Sequence, residues 1–343
     1  MSSVDVIVPC YRYGCFLREC VESVLSQSVR DVRVLIIDDA SPDDTAEVAS
    51  ELARNSSKVT FLRHSKNQGH IRTYNEGIDW VSADYMLLLS ADDYLLPDAL
   101  RRAVDLMDQH RDVGFTFGKA IQLQHGLKPV QPMCPAELDG KRCWYVMKGL
   151  EFIQLSRAKN IVITPTAVVR TELQKRVGGY CADLPHSGDM EMWLRLAAHA
   201  SVGRIDAYQA VYRRHNNNMS LAYVTNGWLP DVEQRKRAID RFFQGCGHTL
   251  PDPTLLYRLF LRSLAGEAVN RASAAWNAGE TDASQQLSEF AARICPAIRR
   301  SWKWAKLTCK RQLGHRAFDT LRSFTMHSKK RAEPGSGLQA PSH

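Results

Sequence analysis

The sequence predicts an α/β protein: a mostly parallel sheet with helices on both faces, followed by a helical C-terminal extension. Three observations predict it. Strand-like and helix-like segments alternate four times within the first 117 residues, the pattern of consecutive βα units. The strand candidates are short continuous apolar runs, as expected where both faces of a sheet are covered. Three of them end in polar residues, Pro9-Cys10-Tyr11, Asp38-Asp39 and Asp92-Asp93, and open sheets of this kind hold their ligands beyond the carboxyl ends of the strands.

Each element has its own signal. Val4–Pro9 is a β-branched run and the first strand. Phe16, Leu17, Cys20, Val21, Val24 and Leu25 recur at helical spacing and form one apolar stripe. Val32–Ile37 is the second strand and closes on Asp38-Asp39. Ser41-Pro42-Asp43-Asp44 caps a helix that runs to Arg54. Val59–Leu62 is the third strand, Gly69–Val81 a helix, and Tyr85–Leu89 a fourth strand ending at Ser90-Ala91-Asp92-Asp93. Pro97 opens a helix to His110, and Val113–Phe117 is a fifth strand. The next stretch, 118–225, is mixed: a helix at Gly149–Arg157, a turn at Gly178-Gly179, a helix at Gly188–Ala198, and short strands at Gly203–Ile205 and Ala210–Arg214. Beyond Trp228 the pattern is helical. The expected division is 1–117 and 118–225 as halves of one domain, 226–331 as a helical basic extension, and 332–343 as a disordered tail of small residues.

Composition narrows the class. With 343 residues, 44% hydrophobic and 24% charged, the chain is globular rather than wholly disordered, collagenous or coiled-coil. Apolar runs reach about five residues where a spanning helix needs about 20. The start, MSSVDVIVP, carries Asp5 in its apolar stretch and lacks a basic segment, unlike a signal peptide. Nine cysteines without a CxxC pair argue against zinc ribbons and for reduced thiols, hence a cytoplasmic setting. The net charge of +8 is concentrated: Pro296–Arg331 holds eleven Lys/Arg against Asp319 alone, and the remainder nets −2. Trp302, Trp304, Leu307 and Leu313 are interleaved with those charges, a pattern that suits the inner face of an anionic membrane. A solvated helix face is the plain alternative. Nucleic acid is disfavoured, because no recognition module is readable.

The polar strand ends supply the candidate chemistry. Tyr11, after Pro9, offers a wall for a flat base. Asp38 and Asp39 are either turn residues or carboxylates accepting from a base or ribose. Asn67 and Gly69 mark a loop and helix start. Asp92 and Asp93, delivered by a hydrophobic strand, are hard oxygen ligands of the kind Mg²⁺ or Mn²⁺ prefers. Asp189 and Glu191 open a helix, where they either complement its dipole or supply a general base. His215, after Tyr212-Arg213-Arg214, is a polar contact or a ligand.

In this order the segments Val6–Tyr11, Ser23–Gln27, Ile36–Ser41, Asn67-x-Gly69, Asn75-x-Gly77, Ser90–Asp93 with Pro97, Gly188-Asp189 with Trp193–Arg195, and Tyr212-Arg-x-His215 resemble the family 2 glycosyltransferases with the A-type fold. The resemblance covers residues 4–220. It implies a nucleotide-diphospho-sugar transferase sheet and inverting transfer from a nucleotide diphosphate sugar to the hydroxyl of a carbohydrate or lipid-linked acceptor, in envelope polysaccharide or glycoconjugate synthesis. It implies Asp189 as catalytic base. Pro9, Tyr11, Asp38, Asp39, Asn67, Gly69, Arg72 and Asp92 would lie at the nucleotide sugar, and Asp92, Asp93 and His215 at a divalent metal. The sequence departs from the family pattern at Ser90, where the acidic motif usually begins with Asp, at Gly188, where Glu often precedes the base, and at Tyr74, where Arg is common. A nucleotidyltransferase is disfavoured by the lack of a Gly-rich loop in Pro9–Gly14. The alternative from another class is a non-catalytic sugar-nucleotide-binding scaffold docked by its basic tail.

Overall fold

The computed structural model describes residues 2–124, 144–215, 218, 223 and 228–314. Among the described residues nine strands form one sheet: β1 (Val4–Cys10), β2 (Val32–Asp38), β3 (Val59–Arg63), β4 (Tyr85–Leu88), β5 (Tyr94–Leu95), β6 (Val113–Gln124), β7 (Trp144–Met147), β8 (Val168–Arg170) and β9 (Ser201–Arg214). Their order is β3-β2-β1-β4-β8-β6-β9-β5, with β7 also on β9. The β3-β2-β1-β4 side is parallel throughout. The other side is mixed, because β8 runs antiparallel to both β4 and β6, while β5 and β7 run antiparallel to β9. The sheet is therefore less uniformly parallel than the early βα repeats suggest.

Seven helices accompany these strands: α1 (Gly14–Leu25), α2 (Thr45–Asn55), α3 (His70–Trp80), α4 (Ala99–Gln109), α5 (Gly149–Ser156), α6 (Thr171–Val177) and α7 (Gly188–Ala197). The apolar stripe of α1 buries Leu17, Cys20, Val21 and Val24 on Val4, Val6, Val8 and Val34 of the sheet. Such burial is worth about 1.5–3 kcal/mol per large aliphatic side chain. Phe16 and Leu25 of that stripe stay only partly covered.

The predicted pair of strands at 203–205 and 210–214 is one strand, β9, whose pairing with β6 is interrupted by register shifts. Strands β5, β7 and β8 and helix α6 carry no readable period, so the sequence does not announce them; three of the four have at most four residues. Further on lie α8 (Leu229–Cys246), α9 (Pro253–Asn277), α10 (Thr281–Ile294) and a helix over 302–314. Two compact units emerge. One comprises 1–225 with Glu233–Phe260; the other comprises Asn226–Val232 with 261–343. The boundary expected at 226 thus shifts, since 233–260 belongs with the sheet: Arg235 donates to the Ala158 carbonyl at 3.0 Å. In the second unit Leu307 is buried, and Lys310 donates to Ser273 Oγ and Asn277 Oδ1. Lys310 is therefore an internal cation rather than part of a basic surface. Arg316, Arg322, Lys329, Lys330, Arg331 and the 332–343 tail lie outside the described residues.

Candidate active site

Because β2, β1 and β4 are parallel neighbours, their carboxyl ends lie side by side. Cys10 pairs with Asp38, and the Asp39 and Leu89 amides donate to the Cys10 and Ile7 carbonyls, each at 2.9 Å. Two cavities open at these ends. The first, about 190 Å³, is lined by residues including Pro9, Tyr74, Asp92, Asp93, Thr164, Tyr180 and Asp189. The second, about 550 Å³, is lined by Pro9, Tyr11, Asp39, Asn67 and Gly69 among others. Pro9, Tyr13, His70, Tyr74 and Ser90 belong to both walls.

The acidic turn at Ser90–Asp93 is fixed by a strand more than a hundred residues away. β5 pairs Tyr94 with Val211 and Leu95 with Ala210, which carries Arg213 and His215 onto the turn from the end of β9. The Arg213 amide donates to Asp93 Oδ1 at 2.9 Å, and its guanidinium donates to the Asp92 carbonyl at 2.7 Å. That guanidinium lies over the rings of Phe16 and Tyr94, 5.0 and 4.7 Å from their centroids, and pairs with Glu19. Asp92 Oδ2 meets His215 Nε2 at 3.0 Å and the Asn218 amide at 3.3 Å. Ser90, standing where the family pattern has Asp, donates its hydroxyl to Asp92 Oδ1. The His215 ring is held between Tyr13, edge-on, and Phe16, stacked. Burial, and then the Asp92 charge, push the Asp93 carboxyl well above the usual range.

Asp189 sits in the first turn of α7. Its Oδ2 accepts from Thr164 Oγ1 at 2.7 Å, in a 3₁₀ turn just before β8. Burial raises its pKa, opposed by the Thr164 hydrogen bond, the positive influence of His70 and a Tyr180 contact. A carboxylate of raised basicity in a cavity with room beside it is equipped to take a proton. Glu191 serves the structure instead. It is 3% exposed and receives two hydrogen bonds from Arg195, whose guanidinium also holds the Val177 and Gly179 carbonyls. Asn75 clamps the same loop, exchanging hydrogen bonds with the Tyr180 backbone at 2.9 and 2.6 Å.

Of the residues expected at a ligand, Pro9, Tyr11, Asp39, Asn67, Gly69, Asp92, Asp93 and Asp189 line one or both cavities. Two do not. Asp38 is fully buried and bound to the Ser41 amide at 2.8 Å and to Arg63 at 3.2 Å, so it shapes the turn beneath the cavity. Arg72 is exposed on α3 and lines neither cavity. The expected metal trio needs revision too. Among the described residues no group of three or more His, Cys, Asp or Glu is arranged to hold a metal ion. Asp93 is committed to the Arg213 amide, which leaves Asp92 and His215 as the adjoining pair. The donor set still fits a hard cation shared with a substrate, since Mg²⁺ and Mn²⁺ commonly take one or two carboxylates and complete their shell with phosphate oxygens and water. Thr164, Tyr180, His70 and Asn218 escape a reading of the sequence, and Tyr74 is noticed there only as a departure from the family pattern. Their types are common in loops, and nothing in their spacing distinguishes them.

Comparison with known proteins shows what the chain is similar to. Residues 5–167 match the model of Glycosyl transferase family 2. An uncharacterised glycosyltransferase of Haemophilus influenzae is 28% identical over 169 residues, covering 47% of this chain and 68% of the relative. Among solved structures, S. aureus TarS 1–349 with UDP-GlcNAc superposes with a TM-score of 0.53 at 15% identity, covering 87% of this chain and 92% of that one. The mannosyltransferase PcManGT from Pyrobaculum calidifontis, with GDP-Man and Mn²⁺, gives 0.51 at 16% identity, covering 90% and 83%. These likenesses show a shared A-type glycosyltransferase fold.

Proposed function

This chain carries a family 2 glycosyltransferase domain and is a glycosyltransferase, and from that premise we propose that it moves a sugar from a nucleotide diphosphate donor to an acceptor hydroxyl with inversion, Asp189 being the base. The observation that carries the reading is that Asp92 and Asp189, 97 positions apart in sequence, line one cavity that adjoins the pocket of Asp39, Asn67 and Gly69. The larger pocket takes the nucleoside, with Tyr11 and Asp39 on its wall. The smaller cavity takes the sugar and the incoming hydroxyl. TarS and PcManGT, solved with UDP-GlcNAc and GDP-Man, support a nucleotide sugar as donor.

The reaction is a single displacement. The acceptor oxygen forms a bond to the anomeric carbon while the bond from that carbon to the diphosphate oxygen breaks, and the diphosphate leaves with the electron pair. Asp189 takes the hydroxyl proton. Thr164, through Oδ2, and the Tyr180 side chain orient the carboxylate toward the acceptor. A divalent cation would be held by Asp92 and His215, and when bound it neutralises charge developing on the leaving diphosphate. Ser90, Asn218 and Arg213 keep the acidic turn in place beneath the diphosphate.

The acceptor is a carbohydrate or lipid-linked hydroxyl presented near an anionic membrane. The supporting observation is Trp302, 70% exposed beside exposed Arg299, Arg300, Lys303 and Lys306.

The test is a donor screen by released nucleoside diphosphate, with mass spectrometry of the glycosylated acceptor. Asp189→Asn should lower turnover by about 10²–10⁴-fold, the usual worth of a positioned base, while donor affinity stays close to wild type. Normal turnover by that variant would remove Asp189 from the mechanism.

A further inference from the structure

Beneath the larger pocket lies a histidine that the mechanism leaves unused. His64 follows β3, its amide donates to the Asp38 carbonyl at 2.9 Å, and its side chain is 3% exposed. Its ring nitrogens lie 2.7 Å from Asp39 Oδ1 and 2.8 Å from Glu76 Oε2. An ionised carboxylate can only accept, so each ring nitrogen needs a hydrogen to satisfy both contacts. The two distances together describe an imidazolium held between two carboxylates. Burial opposes that charge, the hydrogen bonds to Asp39 and Glu76 outweigh it, and the pKa is raised above the ordinary histidine value. The nearby Arg63 is paired with Asp38, and Glu76 reaches in from α3 with its side chain 38% exposed.

Asp39 passes this restraint to the pocket. Besides His64 it accepts from the Gln68 amide at 2.7 Å and the Gly69 amide at 2.9 Å. Gly69 has φ +84°, a conformation that glycine adopts without strain, and no neighbour of its own within 4 Å of a Cβ position to hold it. The Gly69 carbonyl is held by the Thr73 amide and hydroxyl, while the amides of Gln68 and Gly69, on the Asn67–Gly69 wall of the cavity, are fastened through the Asp39 carboxylate.

We propose that His64 is a positioning residue for the nucleotide donor: a buried cation, braced by Glu76, that fixes Asp39 and through it the 67–69 wall, so that nucleoside diphosphate affinity follows its charge. The inference rests on the donor reading of this pocket. When His64 loses its proton one ring nitrogen presents a lone pair to a carboxylate. Asp39 or Glu76 then loses its donor, and the wall loosens. The sign follows: affinity is full below the raised pKa and declines as pH rises through it.

Titration calorimetry of the full chain with UDP and with GDP, each with Mn²⁺, between about pH 6 and 9 tests this, beside an NMR titration of the His64 ring. Wild-type affinity should fall about ten-fold across the His64 titration, the scale of one hydrogen bond to a charged group. His64→Gln should flatten the profile near the weak, high-pH level. Glu76→Gln keeps an acceptor but removes a charge, so it should move the midpoint to lower pH; being partly exposed, it also serves if His64→Gln folds poorly. A flat wild-type profile, an unchanged profile in His64→Gln or an unmoved midpoint in Glu76→Gln would overturn the proposal. Failure of both nucleotides to bind at every pH would instead sink the donor reading on which it stands.

Discussion

Asp5 lies inside the sheet with no exposed surface, and donors surround it there. Arg33 reaches it twice, at 2.8 and 2.7 Å, and the Ser82 and Ala83 amides at 2.8 and 2.9 Å. Asp5→Ala strands those amides and is expected to cost about 3 kcal/mol, read as a lower urea midpoint at unchanged slope. Asp189 differs in kind: burial raises its pKa, and its partners are the hydroxyls of Thr164 and Tyr180 rather than a cation. Its protonation at low pH removes the proposed base, so turnover should decline as pH falls through a pKa above the usual carboxylate value, an acid limb visible in kcat. At this scale Asp39, Asp92 and Asp189 were legible because strand ends and a helix start single them out. Asp38 was not separable from Asp39 by sequence, since both neighbours end the same strand and only the turn decides which carboxylate faces the cavity. His64 and Thr164 were illegible because their partners lie 12 to 25 positions away, beyond any local period.

Among the elements, the apolar runs of β1, β2 and β4 and the stripe of α1 were readable because burial on both sheet faces or on one helix face leaves a composition signal. Strands of two to four residues leave none, and the register shifts of β9 against β6 interrupt the alternation that would have marked one long strand. The join between α5 and α7 shows what packing demands of a single position. A Cβ on Gly149 would stand 1.7 Å from the Ala197 carbonyl oxygen, so the helix start can approach that backbone only as glycine. Gly149→Ala should lower stability by about 2 kcal/mol or more, whereas Gly245→Ala, in α8 with nothing within 4 Å, should be neutral or slightly stabilising. Thermal unfolding of the two variants side by side reads the difference.

For the molecule as a whole, positive charge gathers toward the C-terminal end of the sequence while the rest is close to neutral. No helix among the described residues is long and apolar enough to cross a membrane. If Trp302 and its neighbouring cations meet an anionic bilayer, the chain should sediment with vesicles containing phosphatidylserine and lose that binding as salt rises, since charge attraction at a surface is screened within about 8–10 Å at 0.1–0.15 M salt. Trp302→Ala should weaken it several-fold; unchanged recovery of this variant in the vesicle pellet would exclude that face. The long strand β9 joins β5, β6 and β7 and carries the groups that steady the acidic turn. That has a consequence for biogenesis. On the ribosome the first four parallel strands can associate early, but the turn at 90–93 must wait for some 120 further residues before Arg213 arrives to secure it. A nascent polypeptide released before that point would display a half-built cleft with a loose acidic turn, so the proposed site is completed late in translation.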